Sequence, residues 1–301
     1  MKILLTGTNG QLGHVLQSVL APFGDVVAVS RGECDLAFPE KIVSLVEHVK
    51  PSLIINAAAY TAVDKAESEP ELAFAINATA PKTLAAQANL RGIPLIHYST
   101  DYVFDGASTR PYEEDDLVNP LSVYGLSKWQ GEQNVRAMCE QNLIIRTEWV
   151  YGTHGNNFLK KILQLAQERD ELEVVAEQFG APTSTRFLAQ ATAQAVKRIL
   201  HNETNGLFGT YHVAARGYTN WHNYAVIIVS LANKLGLATK LAPKDIHPIA
   251  LTAYQLAASR PKNCRLNTQK AERLLGITAP DWEVDVEHTL QLLISGRLHE
   301  K

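Results

Sequence analysis

The chain has 301 residues, enough for one large domain or two modest ones, and its 46% hydrophobic and 20% charged content is that of an ordinary globular protein. Its formal net charge of −3 gives no electrostatic reason to expect nucleic acid or an anionic membrane as a partner, because both usually select a basic face. We therefore expect small-molecule rather than polyanion binding.

Cysteine usage and the N-terminal sequence bear on the compartment. Cys34, Cys139 and Cys264 are far apart and form no C-x-x-C pair, so they predict neither a disulfide framework nor a zinc site. The opening MKILLTGTNGQLG contains only a three-residue apolar run, far shorter than a signal peptide or membrane span. A cytoplasmic protein is the resulting expectation.

Short apolar runs alternate with longer amphipathic stretches through the first two-thirds of the chain, a pattern typical of a parallel sheet covered by helices. Strands are predicted at residues 2–6, 26–30, 53–56, 94–99, 143–147 and 172–175. Helices are predicted at residues 11–21, 39–49, 70–90, 120–141 and 156–168. The strand LIIN at 53–56 is apolar on both faces, which favours the interior of a doubly wound sheet.

The alternation weakens after about residue 175, where segments such as APTST and SRPKNCRLN resemble loops that cover a site. We predict an α/β protein: a Rossmann-type doubly wound parallel sheet over residues 1–175 and a smaller, mainly substrate-binding C-terminal part over 176–301. Residues 186–200 are predicted to form a core helix, and residues 186–215 are assigned back to the core. The two parts are therefore expected to be interleaved.

A glycine-rich turn, TGTNGQLG at residues 6–13, separates the first predicted strand from the first predicted helix. Glycine permits positive φ and lets backbone N–H groups approach a pyrophosphate at a helix N-terminus. The spacing is G-x-x-G-x-x-G rather than G-x-G-x-x-G, and an ordinary turn would also fit. The predicted dinucleotide-binding residues here are Gly7, Asn9, Gly10, Gln11, Leu12 and Gly13.

The end of the second strand bears on the choice of cofactor. An acidic residue normally binds the ribose of NAD at this position, but here Ser30 and Arg31 occupy it. Because an arginine can pair with a 2′-phosphate, NADPH is favoured, with NADH as the alternative and a solvent-facing Arg31 also compatible. Asp35 and Leu36 follow at a distance suited to the adenine edge.

The segment YGLSK places Tyr124 and Lys128 four positions apart, on one face of a helix. Alone, such a pair also fits a solvated helix face. On one face of a helix, the Tyr124 hydroxyl and the Lys128 ammonium could both reach the same small molecule.

Several motifs resemble, in order and spacing, the extended short-chain dehydrogenases/reductases, and among them the dTDP-4-dehydrorhamnose reductase family. They are the glycine turn, NAAAYTAVDKAESEPE, HYSTDYVFDG, NPLSVYG followed by SK, RTEWVYG, NNF, FGAPT and RLNT. The resemblance implies NAD(P)H-dependent reduction of the C4 ketone of dTDP-4-dehydro-L-rhamnose to dTDP-L-rhamnose, and hence a nucleotide-sugar substrate.

The same resemblance implies roles for individual residues. Tyr124 would donate the proton, Lys128 would bind the nicotinamide ribose and lower the tyrosine pKa, and Thr100 would polarise the substrate carbonyl. The chemistry agrees, because reduction of a ketone needs a hydride and a proton, and a phenol of pKa about 10 must be brought toward working pH by a nearby cation. A threonine hydroxyl aimed at the ketone oxygen supplies oxyanion-type stabilisation. The residues implied to line the cofactor after the third strand are Ala57, Ala58 and Tyr60.

The residues implied to face the sugar nucleotide are Asp101, Tyr102, Trp149, Asn157 and Arg260, the last at the diphosphate. For Trp149 a core aromatic at a strand end fits equally well. Arg260 could instead cap a loop.

Other functions remain as alternatives. Sugar-nucleotide 4,6-dehydratases carry an Asp-Glu pair after the threonine, whereas this chain reads Asp101-Tyr102, so the acid/base pair of a dehydratase is incomplete. An epimerase is disfavoured by the reductase motifs. A non-catalytic NADP-binding regulatory subunit, like the β subunit of methionine adenosyltransferase, is disfavoured by the intact set of Thr100, Tyr124 and Lys128.

Some reductases of this family are described as magnesium-dependent dimers that use glutamates at the subunit contact. Here the equivalent segment STRFLAQ has Arg186 where an acid is sought, and the ten histidines show no ligand spacing. We therefore predict no metal site. A homodimer stays open.

Overall fold

The structure, a computed structural model, describes residues 1–253 and 256–299. The strands are β1 Lys2–Thr6, β2 Asp25–Val29, β3 Leu53–Asn56, β4 Leu95–Thr100, β5 Asn142–Thr147, β6 Val150–Tyr151, β7 Leu172–Val175, β8 Phe179–Gly180, β9 Thr183–Ser184, β10 Gly209–His212, β11 Thr219–Asn220 and β12 Ile246–Ile249. The helices are α1 Gln11–Leu20, α2 Pro39–Val49, α3 Val63–Ala66, α4 Pro70–Phe74, α5 Ala80–Leu90, α6 Val123–Met138, α7 Phe158–Glu168, α8 Thr185–Leu200, α9 Trp221–Lys234, α10 Gln269–Leu275 and α11 Trp282–His299.

Six parallel strands form the central sheet in the order β10-β5-β4-β3-β1-β2. The chain runs from β1 outward to β2 and then crosses to β3 on the other side of β1. This reversal creates a crevice outside the carboxyl ends of β1 and β3, the usual ligand position in a doubly wound sheet. The predicted α/β Rossmann-type fold is confirmed.

Helices cover both faces of the sheet, and the inner strands β3, β4 and β5 are buried along their whole length. All four residues of β3 are buried. On one face α1 and α8 pack through side chains such as Leu16, Leu20 and Leu188, and on the other α2 and α5 pack through Ile42 and Leu84. Burying both faces requires the continuous apolar strands that the sequence contains.

Capping side chains set helix starts that the hydrophobic pattern placed too early. α6 was predicted from residue 120, but Ser122 is extended and its hydroxyl accepts the Gly125 N–H at 3.2 Å, so the helix begins at Val123. Likewise Asn157 accepts the Lys160 N–H at 3.0 Å, and α7 begins at Phe158.

The predicted strand at 172–175 forms, but it does not belong to the central sheet. This strand, β7, pairs with β12 in a separate two-stranded parallel sheet. The sixth central strand is instead β10, whose short sequence GTYH gives little apolar signal because Thr210 and His212 are buried polar residues. Their burial depends on partners far away in sequence.

A second apolar cluster joins α7, which was predicted to belong to the core range 1–175, to α9 and α11 through residues such as Leu159, Ile228 and Val286. By contrast, α8 and β10 pack with the central sheet. The division into 1–175 and 176–301 remains a proposal, and its second range includes residues 254–255 and 300–301, outside the described residues. Within residues 1–253 and 256–299 no helix is long and apolar enough to cross a membrane.

Candidate active site

A cavity of about 840 Å³ lies at the carboxyl edge of the sheet, over the crevice between β1 and β3. The predicted site residues that line it are Gly7, Asn9, Gly10, Gln11, Leu12, Ser30, Arg31, Asp35, Leu36, Ala57, Ala58, Tyr60, Thr100, Asp101, Tyr102, Tyr124, Lys128 and Trp149. Gly13, Asn157 and Arg260 lie outside this lining. The size is that of a ligand-binding pocket.

The glycine turn provides the floor of the cavity. Gly7 has φ +78°, and a Cβ on it would stand 2.5 Å from the Ala58 backbone nitrogen. A Cβ on Gly13 would stand 2.1 Å from the Gly7 carbonyl oxygen, so Gly13 acts by letting α1 approach the turn. No side chain among the described residues caps α1. Its first N–H groups therefore remain available for a phosphate.

The end of β2 presents both signs of charge at one end of the cavity. The Arg31 side chain is 70% exposed and pairs with Asp35 at 3.4 Å. Ser30 donates from its backbone N–H and its hydroxyl to Glu33 Oε2, at 2.7 and 2.8 Å, and these bonds lower the pKa of Glu33. Glu33 is not among the residues that the sequence predicts for the site. Its position three residues after Ser30 is the one local feature that could indicate these hydrogen bonds.

Tyr124 and Lys128 project from α6 into the cavity, one turn apart. Lys128 is 2% exposed, its Nζ donates to the Tyr98 carbonyl at 2.6 Å, and burial lowers its pKa to about 8. Burial raises the pKa of Tyr124 to about 12, and the neighbouring Thr100 hydroxyl opposes this rise. YGLSK is thus a buried, cavity-facing pair rather than a solvated face.

A buried ion-pair network below Lys128 escaped the sequence analysis. Glu132, one further turn along α6, accepts Arg146 Nε and Nη2 at 2.9 and 2.8 Å and Arg136 Nη2 at 2.7 Å. Its charge opposes the lowering of the Lys128 pKa. The sequence does contain one indication of this network: Tyr124, Lys128 and Glu132 have i, i+4, i+8 spacing, which places them on one face of α6.

Thr100 ends β4 beside Tyr124. Its hydroxyl donates to Asp101 Oδ1 at 2.9 Å and accepts the Tyr102 N–H at 3.2 Å. The Tyr102 ring meets the Tyr124 ring edge-on, with centroids 5.5 Å apart. The three predicted catalytic side chains therefore converge at one end of the cavity.

Of the remaining predicted substrate residues, Trp149 lines the cavity, and Asn157 and Arg260 lie behind residues that line it. Trp149 has φ +44° and stacks on Trp221 with ring centroids 3.6 Å apart. Asn157 Nδ2 donates to Gln11 Oε1 at 2.9 Å. Arg260 pairs with Asp64 at 2.6 Å and donates to the Tyr102 hydroxyl at 3.1 Å.

In the segment STRFLAQ, where related reductases would supply a magnesium ligand, Arg186 forms an ion pair. Arg186 donates to the carboxylate of Asp285, which is buried. The part of the chain that the structure describes contains no group of three or more His, Cys, Asp or Glu side chains able to hold a metal ion.

Comparisons with known proteins cover nearly the whole chain. The family model described as "RmlD substrate binding domain" matches residues 1–294. A dTDP-4-dehydrorhamnose reductase of Escherichia coli (strain K12) is 45% identical, over 98% of this chain and 99% of the relative.

Two solved structures agree with this. A dTDP-4-dehydrorhamnose reductase of Clostridium acetobutylicum is 37% identical with a TM-score of 0.89, over 98% of this chain and 100% of the other. One from Bacillus anthracis, in complex with NADP, is 36% identical with a TM-score of 0.86, over 96% and 98% of the two chains. The chain therefore belongs to the dTDP-4-dehydrorhamnose reductase family.

Proposed function

We propose that this protein uses NADPH to reduce the C4 ketone of dTDP-4-dehydro-L-rhamnose to dTDP-L-rhamnose. The observation that carries the proposal is the convergence of Thr100, Tyr124 and Lys128 in one cavity beside an uncapped, glycine-lined helix N-terminus. The name of the relatives gives the substrate, and the Bacillus anthracis structure gives NADP.

The residues present fit a dinucleotide. A side chain at Gly7 or Gly13 would clash with neighbouring backbone, so the turn requires glycine at both positions. The uncapped N–H groups at the start of α1 suit the phosphates of a dinucleotide. When bound, the cofactor supplies the hydride. The protein residues proposed to hold it are Gly7, Asn9, Gly10, Gln11, Leu12, Gly13, Ser30, Arg31, Asp35, Leu36, Ala57, Ala58, Tyr60, Tyr124 and Lys128.

The proton is assigned to Tyr124. Its hydroxyl is buried at the Thr100 end of the cavity, where it can donate to an oxygen that gains negative charge. The buried Lys128 ammonium stabilises the resulting phenolate. The Thr100 hydroxyl, which donates to Asp101 Oδ1 in the structure, would turn toward the substrate oxygen and donate to it. Each group stabilises charge that exists only in the transition state and product.

Nucleotide-sugar contacts are assigned to Asp101, Tyr102 and Trp149, which line the cavity. Asn157 and Arg260 would support the site through their partners, because their polar atoms hold Gln11 and the Tyr102 hydroxyl. A homodimer and a cytoplasmic location remain predictions.

The decisive experiment follows NADPH absorbance in the presence of dTDP-4-dehydro-L-rhamnose and identifies the product by mass spectrometry. We expect one NADPH oxidised for each dTDP-L-rhamnose formed. A regulatory subunit would bind NADPH without oxidising it, and an epimerase or dehydratase would consume none. Either result would overturn the proposal.

The preference for NADPH over NADH should depend on two opposite charges at the end of β2, those of Arg31 and Glu33. An Arg–phosphate contact contributes ~1.5–3 kcal/mol, roughly ten- to a hundredfold in affinity, whereas the exposed Arg31–Asp35 pair that it replaces contributes little. Arg31→Asp should therefore shift the ratio of kcat/KM for NADPH and NADH toward NADH. Glu33→Gln, which removes a nearby negative charge, should shift it toward NADPH.

Both ratios should be measured at low and high salt, because exposed charges are screened. The KM for the nucleotide sugar is the internal control and should stay near its wild-type value. An unchanged ratio in Arg31→Asp would mean that Arg31 faces solvent in the complex.

A further inference from the structure

The segment that joins β6 to α7, residues 152–157, lies against the glycine turn. Asn157 Nδ2 donates to Gln11 Oε1 at 2.9 Å. Gly155 packs on the same glutamine, because a Cβ on it would stand 3.0 Å from Gln11 Cγ. Asn157 and Gln11 are 146 positions apart in the sequence, so this contact is made only by the tertiary fold.

Two histidines make a second contact between the 152–157 segment and the start of α1. The rings of His14 and His154 stack, with centroids 4.0 Å apart and planes 10° apart. His154 Nε2 lies 3.3 Å from the Asn9 carbonyl oxygen, and because a carbonyl only accepts, this nitrogen is the donor. The segment therefore holds both the glycine turn, at Asn9, and the helix that follows it, at His14.

The shape of the segment is fixed from the side of α7. Asn157 caps that helix through Oδ1, and its Nδ2 also donates to the Gly152 carbonyl at 2.9 Å. Lys160 Nζ donates to the carbonyls of Thr153 and Gly155, at 3.2 and 2.8 Å. Because α7 packs in the second apolar cluster and α1 packs with the central sheet, the segment connects these two parts of the protein.

The contact lies at the end of the cavity where the phosphate site is proposed. Gly155 and Asn156 line the cavity, as Asn9, Gly10 and Gln11 of the glycine turn do. The phosphates of a dinucleotide bound at the N-terminus of α1 would therefore lie between the turn and the segment. A ligand enclosed on two sides leaves only when one side moves, as in enzymes with closing loops.

We propose that the 152–157 segment is a clasp over the diphosphate of the cofactor, held shut by His154 and Asn157, and that it parts from the glycine turn when NADPH enters or leaves. The inference rests on the proposed function for the identity of the ligand. His154 and Asn157 are positioning residues, since they act through Asn9 and Gln11. Asn157 thus serves the cofactor rather than the nucleotide sugar.

Stopped-flow binding of NADPH tests the clasp without any turnover. Trp149 and Trp221 line the cavity, so their fluorescence follows association, and displacement by excess NADP⁺ follows dissociation. His154→Ala removes the ring stack and the hydrogen bond to Asn9. Both rate constants should rise by about two- to tenfold, the effect of one ordinary hydrogen bond on an equilibrium between closed and open forms. The dissociation constant should change less than either rate, because the protein makes these contacts with or without NADPH.

Asn157→Asp is the second variant. It loses the Nδ2 donor to Gln11 but keeps an oxygen that can cap α7, so the helix should still form. It should raise both rate constants as His154→Ala does. The matched control is His222→Ala, because His222 Nε2 also contacts a backbone carbonyl, that of Ile246 at 3.0 Å, without lining the cavity. This control should leave both rates unchanged.

A rise in the dissociation rate alone would mean that these side chains contact bound NADPH directly, and unchanged rates would mean that the segment does not enclose it. Either result overturns the inference.

Hydrogen exchange of the amides in residues 152–157 gives a second measurement on the wild type, and it decides if the variants do not fold. NADPH should slow this exchange, whereas reduced nicotinamide mononucleotide, which lacks the diphosphate, should not. Equal protection by both ligands, or protection by neither, contradicts the clasp. A wild type that shows the NADPH effect but does not oxidise NADPH with the nucleotide sugar contradicts only the proposed function.

Discussion

Replacing Tyr124 by Phe should reduce kcat by about 10²- to 10⁴-fold, the range expected when a general acid is removed. The ring and its edge-on contact with Tyr102 are retained, so only the hydroxyl that delivers the proton is lost. Cofactor affinity should stay close to that of the wild type. The measurements are kcat from NADPH oxidation and the NADPH dissociation constant from fluorescence.

Tyr211→Phe is the control for this substitution. Tyr211 is also fully buried, and its hydroxyl donates to the Leu207 carbonyl at 2.7 Å, but it lies in β10 and does not line the cavity. It should cost about 1 kcal/mol of stability and leave kcat unchanged. If Tyr124→Phe and Tyr211→Phe behaved alike, Tyr124 would have no part in proton transfer.

Local patterns in the sequence predicted those parts of the fold that local physics decides. The helix Pro39–Val49 and the strand Leu53–Asn56 form at the residues predicted, because a proline start and an unbroken apolar run need no distant partner. The pairing of Tyr124 with Lys128 was likewise predictable, since helical geometry alone places positions i and i+4 together.

Features that depend on contacts between distant segments were missed. Glu148 follows a strand and carries no local signal of burial, yet it is buried and accepts the backbone N–H of Leu266, 118 positions later. The edge strand β10 is polar because Arg146 and Glu114 meet His212 across the fold. Hydrophobic periodicity carries no information about such partners.

At the end of β2, the sequence predicted one charged residue of the cavity but not its neighbour of opposite charge. Arg31 was predicted from its place at the end of the second strand, and it does line the cavity. The carboxylate of Glu33 lies on the same turn and holds both donors of Ser30. A prediction from the arginine alone leaves out this carboxylate, which would weaken the proposed attraction for a 2′-phosphate.

Replacing Lys128 by Met should lower kcat by about ten- to a thousandfold, because a nearby cation shifts the pKa of an acidic group by roughly one to three units. The ammonium is also proposed to bind the cofactor ribose, so NADPH affinity should weaken by about tenfold or more, the typical effect of losing a hydrogen bond to a charged group. Tyr124→Phe should leave that affinity unchanged, and this difference separates the two residues.

Stability shows whether the loss in Lys128→Met is functional. Burial disfavours the Lys128 charge and lowers its pKa to about 8, while Nζ makes one hydrogen bond, to the Tyr98 carbonyl. A methionine of similar length carries no charge to desolvate, so Tm should stay level or rise while kcat falls. Lys82→Met, at an exposed position on α5, is the control and should change neither. A Lys128→Met protein with wild-type kcat and NADPH affinity would reduce YGLSK to a structural segment of α6.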